Sequence, residues 1–161
     1  MPHIHTGPGQ VDFVVNVYIV YRDKVLLRFH EKHHMWLSVG GHVELDEAPE
    51  DAAIREVQEE VGLAVKLWSG NRVQFMNGFA DEQYRELIPP LLMNIHKIDE
   101  NHRHLSLAYF ATAETDMVTE PDTYEKSGGC IWLTREELQA HPDIDQATKY
   151  YAAKALEVLA S

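Results

Sequence analysis

The 161-residue chain contains a single cysteine, Cys130. It can close no disulfide within the chain, so packing rather than covalent staples must hold the fold, and a reducing cytoplasm is the expected compartment. Cys130 itself is expected to be a small buried hydrophobe rather than a nucleophile. Basic residues are also few, 14 against 26 acidic ones, which leaves a formal charge of -12. Such a surface repels nucleic-acid backbones and anionic membranes, so neither is an expected partner, and a phosphate-bearing substrate needs a cation as intermediary. Long apolar runs are missing as well. Residues 1–10 are polar and rich in His, Pro and Gly, and the most apolar stretch, 11–21, holds Asp12 and Asn16. A soluble protein without a targeting segment is expected.

Neither an internal repeat nor a Ser/Gly linker interrupts the chain, and its length and 45% hydrophobic content suit one packed domain. Residues 11–21 are β-branched and apolar, Arg22 and Asp23 can turn, and 25–29 continue as a second strand of a hairpin. Trp36 to Val39 lead to the pair Gly40-Gly41, where close backbone approach is expected. Pro49 suits the first turn of a helix reaching Val61, with Gly62 as its stop. Strands are expected at 63–68, 72–75, 91–98 and 105–111, in a mixed or antiparallel sheet, with Pro89-Pro90 at an edge or bend. Residues 113–129 form a polar segment long enough to be a functional loop, ended by a short strand at 130–132. Thr134 and Glu137 make a capping box, and 144–159 carry apolar residues at helical spacing. Helices packed on a sheet of this kind form a layered α/β sandwich.

The helix at 49–61 carries the chemistry. Ala53, Ile54, Val57 and Val61 fall within roughly 100° of arc, a face suited to packing on the sheet. Glu56, Glu59 and Glu60 lie beside it, three and four residues apart, where each like-charged pair costs about 0.2–0.5 kcal/mol. Two of them also face the negative end of the helix dipole. A divalent cation reverses both penalties, and a three-carboxylate ridge suits magnesium, which takes one or two carboxylates and keeps several waters.

From Gly41 the chain runs GHVELDEAPEDAAIREVQEEVGL. This segment resembles the Nudix signature at every fixed position: Gly41, Glu47, Arg55, Glu56, Val57, Glu59, Glu60, Gly62 and Leu63. A chance match has a probability on the order of 10⁻⁷ or less at ordinary residue frequencies. The preceding WLSVGG is similar to the family too, although Val39 and Asp46 replace a common proline and glycine. The resemblance implies an α/β/α sandwich with a mixed central sheet and a metal-dependent hydrolase of diphosphate bonds in nucleotide-like substrates. Magnesium is the implied cofactor, with manganese as a substitute. Glu59 and Glu60 are the implied metal ligands, with the Gly41 carbonyl; Glu56 is a ligand or the base acting on water. Arg55 and Glu47 resemble the family's ion pair tying loop to helix. A carboxylate from a late loop often completes the site in relatives, and Glu125 is the candidate, with Glu114, Asp116 and Glu120 as competitors. Glu44 is a candidate outer ligand.

Ten histidines are many, yet His3/His5, His33/His34 and His102/His104 show no second half at zinc-site spacing and are expected to be solvated. His42 is a candidate phosphate contact, His96 a candidate cleft residue, Arg28 a candidate phosphate clamp alongside Lys32, Arg72 and Arg85, and Trp36 a candidate stacking face. The preferred substrate is a nucleoside triphosphate or modified nucleotide. Alternatives are nucleotide sugars or ADP-ribose, a non-catalytic nucleotide-binding module, and prenyl diphosphate isomerisation, which no sequence feature supports. Phe79 stands near where ADP-ribose relatives often carry proline. Family resemblance also makes a homodimer an option.

Overall fold

The computed structural model describes residues 9–70, 84–120 and 127–161. The expected strand at 72–75, Arg72, Phe79, His3, His5 and Glu125 lie outside these residues. Within the described residues eight strands, β1 (Val11–Tyr21), β2 (Lys24–His30), β3 (Met35–Leu37), β4 (Val39–His42), β5 (Val65–Leu67), β6 (Leu92–Lys97), β7 (Arg103–Ala113) and β8 (Ser127–Leu133), form one sheet. Among the described residues three helices accompany them: α1 (Pro49–Val61), α2 (Arg135–Ala140) and α3 (Gln146–Leu159).

The hairpin forms as expected, β1 pairing antiparallel with β2 across Arg22-Asp23, with Arg22 at φ 55° in the left-handed region. The sheet is mixed because β1 pairs parallel with β7, while β4, β5, β6, β3 and β8 all pair antiparallel with their neighbours. Alternation along β1 divides the core in two. Val15, Val17 and Ile19 pack with Ala53, Val57 and Val61 of α1, together with Leu107, Tyr109 and Ala111. Tyr18 and Val20 point the other way, packing with Ala108, Phe110 and Ala152, Ala155 and Leu156 of α3. The Tyr18 ring stacks on Tyr151 of α3 at 5.8 Å between centroids. The result is the α/β sandwich expected from sequence. Among the described residues, no helix is long and apolar enough to cross a membrane.

Local signals act where they stand in the sequence. Pro49 opens α1, and Gly62 ends it at φ 65°, with its N–H bonded to the Gln58 carbonyl. Thr134 and Glu137 form both halves of the capping box, and the Asp145 side chain caps α3. Gly40-Gly41 lies within β4, where the expected close backbone approach is found. A Cβ at Gly40 would collide with the backbone carbonyl of Val15 on β1. Backbone cannot rotate away as a side chain can. Gly40→Ala is therefore expected to destabilise the fold by about 1–3 kcal/mol in denaturant unfolding; wild-type stability would show that the strands have room to separate.

Candidate active site

Ala52, Ala53, Glu56, Val57, Glu60 and Val61 form the buried arc of α1. Ile54, expected on that arc, is 46% exposed, whereas Glu56 and Glu60 retain only 4% and 8%. The helix is thus rotated so that two carboxylates face the sheet. What admits them is visible at each. At Gly41, a Cβ would meet the Glu56 carboxylate, so glycine's missing side chain leaves the room. Glu60 is met by a cation: Arg28 Nη1 of β2 lies 2.8 Å from Glu60 Oε1, and the Gly40 N–H donates to Oε2 at 3.0 Å. Arg28 is buried at 4% exposure, so this is a desolvated ion pair between strand and helix. Glu59, one turn on from Arg55, remains half exposed.

Arg55 organises the rest. Its Nε and Nη2 donate to the two oxygens of Glu47 at 3.1 and 2.6 Å, the bidentate fork of a strong carboxylate pair. Nη2 also donates to the His42 carbonyl at 2.9 Å, and Nη1 to Glu56 and Glu59 at 2.8 and 3.0 Å. Glu47 in turn accepts from the Glu44 N–H at 2.9 Å. One guanidinium therefore ties the 43–48 loop, the end of β4 and two ridge carboxylates together. The hydrogen bond from Arg55 holds the Glu47 carboxyl below its ordinary 4.5, and Glu47 foremost pushes Arg55 up.

A depressed carboxylate pKa means that the unfolded chain takes up the proton first as pH falls. The stabilisation from Glu47 is complete above 4.5 and is lost as pH falls through the lower folded value. The melting-temperature gap between wild type and Glu47→Gln should narrow on acidification below that point. A gap constant with pH would remove the Glu47 charge from the account.

Residues 114–120 run past the end of α1, with the Thr119 N–H bonded to the Val61 carbonyl at 2.9 Å. This brings Glu120 to β8, where Cys130 Sγ donates to its Oε1 at 3.2 Å. Cys130 is the register partner of Arg28. Among the described late carboxylates, Glu120 is therefore set beside the Arg28–Glu60 pair. Burial foremost, then Glu120, pushes the Cys130 thiol up to about 12, which keeps it protonated and inert as a nucleophile.

The other sequence candidates are dispersed. Arg28 is inside the ridge rather than at its mouth. His42 faces away from Glu56 by strand alternation and lies with Asp12, His102 and His104; His96 stands beside them, its ring 5.6 Å from that of His104. Arg85 reaches Asp51 at the start of α1 at 2.5 Å, and Trp36 packs edge-on against Phe29 at 5.2 Å. Lys32 is exposed.

The comparisons agree with this architecture. The family description "NUDIX domain" matches residues 12–154, which takes in every element from β1 into α3. The chain belongs to the NUDIX hydrolase family. A curated relative, the m7GpppN-mRNA hydrolase NUDT17 of Xenopus laevis, is 32% identical over 122 residues, covering 70% of this chain; the chain spans 38% of that relative's length. A crystal structure of a NUDIX-family hydrolase from Clostridium perfringens superposes with a TM-score of 0.83 at 32% identity, covering 91% of this chain and 97% of that one. A MutT NUDIX hydrolase from Burkholderia pseudomallei shares the fold at TM-score 0.62 and 20% identity, covering 92% and 97%. In this NUDIX chain the signature helix is α1, and the signature glycine is the Gly41 that makes room for Glu56.

Proposed function

We propose that the chain acts as one NUDIX domain that hydrolyses a diphosphate bond in a nucleotide-like substrate, with Glu56, Glu59 and Glu60 as the acidic centre. The observation carrying this is the single nitrogen, Arg55 Nη1, held between Glu56 at 2.8 Å and Glu59 at 3.0 Å. Two carboxylates already converge on one positive centre, beside a glycine that leaves Glu56 space. This donor set of hard oxygens fits magnesium or manganese, which Glu56, Glu59 and Glu60 would hold with the Gly41 carbonyl, and Glu120 is the described late carboxylate best placed to join them. When bound, such an ion supplies polarisation of phosphoryl oxygens and a lowered pKa for water.

The chain's own residues do the remainder. Arg55 and Glu47 fix the loop and the helix so that the carboxylates do not reorganise when substrate arrives. Arg28 and the Gly40 N–H hold Glu60 in one orientation. Glu56 accepts the proton of the attacking water as its oxygen bonds to phosphorus. The bridging P–O bond breaks, and the electron pair leaves with the departing phosphate.

The preferred substrate is a nucleoside triphosphate or modified nucleotide. A panel covering these, nucleotide sugars, ADP-ribose, dinucleoside polyphosphates and a capped RNA end, with magnesium or manganese, tests the proposal. The capped end belongs in the panel because the Xenopus laevis relative is named for that substrate. Hydrolysis that requires the divalent ion supports the proposal. Binding of a nucleotide without any product would make the chain a recognition module instead.

A further inference from the structure

Three histidines and one aspartate that the hydrolase centre does not use meet on the opposite side of the sheet. In the parallel pair, Asp12 of β1 lies across from His104 of β7, and in the antiparallel pair Val14 lies across from His42 of β4. Asp12 and Val14 share a face because side chains alternate with period two. His102 lies two residues before His104, so the extended His-x-His spacing puts both imidazoles on that face as well. The register thus collects donors from two strands flanking β1 and from β1 itself.

Their atoms converge. His102 Nε2 lies 2.6 Å from Asp12 Oδ2, His104 Nε2 lies 3.1 Å from His102 Nε2, and His42 Nε2 lies 3.6 Å from Asp12 Oδ2. One donor atom from each of the four falls within 4.8 Å of all the others. Tetrahedral bonds of about 2.0–2.2 Å put ligand atoms roughly 3.4 Å apart, so closing the set around an ion takes shifts on the order of one ångström. The Asp12 side chain is 1% exposed, whereas His42 and His102 keep 15% and 23%, leaving an approach from solvent. A hydrogen-bonded His–Asp pair accounts for two of these residues. It does not account for four donor atoms, one from each residue, lying within 4.8 Å of one another.

We propose that Asp12, His42, His102 and His104 form a second metal site, closed and four-coordinate, that takes a zinc-class transition ion and clips β4, β1 and β7 together. Imidazole nitrogens with one carboxylate suit zinc, cobalt or nickel and discriminate against magnesium, which takes oxygen ligands and resists dehydration. The two sites therefore sort their ions by donor chemistry. They also adjoin, since His42 follows Gly41, and its carbonyl accepts from Arg55. The proposal is independent of catalysis at the acidic ridge.

The test uses chelator-stripped full chain, titrated with zinc or cobalt under excess magnesium. One equivalent should bind, raise the melting temperature and give cobalt the visible absorption of a tetrahedral site. His42→Gln with His104→Gln should weaken zinc by about 100-fold or more, as expected for two lost ligands. Glu56→Gln with Glu59→Gln, His3→Gln with His5→Gln, and His33→Gln with His34→Gln should leave it unchanged. X-ray absorption of zinc-loaded wild type, which needs no variant, should show imidazole ligation with bonds of about 2.0 Å. The proposal is overturned if wild type binds no stoichiometric zinc, if the absorption spectrum lacks imidazole, or if any of the control pairs abolishes binding.

Discussion

Glu59→Gln and Glu56→Gln should each lower kcat for diphosphate hydrolysis by about 10²–10⁴-fold, the range associated with losing a positioned acid–base group. Glutamine keeps the shape and removes the charge that a divalent ion and a water proton require. Glu59 is half exposed, so Glu59→Gln should melt close to wild type. Glu56 is buried against Gly41 and bonded to Arg55, and its amide can still accept from Nη1, so the fold should also tolerate Glu56→Gln. The measurement is steady-state hydrolysis beside thermal melting. Full turnover by both folded variants would end the assignment of the ridge as the reacting centre.

Arg28→Met should have the largest effect on stability, a loss of about 3–5 kcal/mol, because it strands Glu60 as a charge inside the protein. Arg28 and Glu60 keep 4% and 8% exposure, so water cannot replace the lost partner. Adding Glu60→Met to Arg28→Met should recover much of the loss, since an apolar pair of similar volume removes the stranded charge. Denaturant unfolding of the two single variants and the double variant closes the cycle. Additive losses would mean that the 2.8 Å pair carries no coupling. The double variant should stay catalytically impaired even when stable, which separates the structural from the chemical contribution of Glu60.

Much of the molecule is legible in the sequence because the signals are local. Pro49 and Gly62 delimit α1, Thr134 and Glu137 cap α2, and the β-branched run of β1 is followed by a two-residue turn. Each depends on backbone chemistry within a few residues. The pairing of Arg55 with Glu47 was legible for a related reason: both stand at fixed places in one signature segment. Periodicity puts Ile54 on the buried arc and the structure does not, because helical spacing defines an apolar arc but not its rotation toward the sheet. That rotation is decided by Gly41 and Arg28, which belong to other strands.

The histidines mark the boundary most sharply. Spacing alone makes His102 and His104 solvated residues, since no second pair stands at zinc-site spacing nearby. The missing donors are Asp12, 90 positions before His102, and His42, which strand register alone brings beside them. Sequence by itself therefore determined the family, the acidic helix and its stops, since these reside in contiguous chain and short-range geometry. Tertiary structure alone decided which carboxylates are buried, which arginine neutralises Glu60, and that four scattered donors meet. Contacts between distant segments depend on register and packing, which no local spacing encodes.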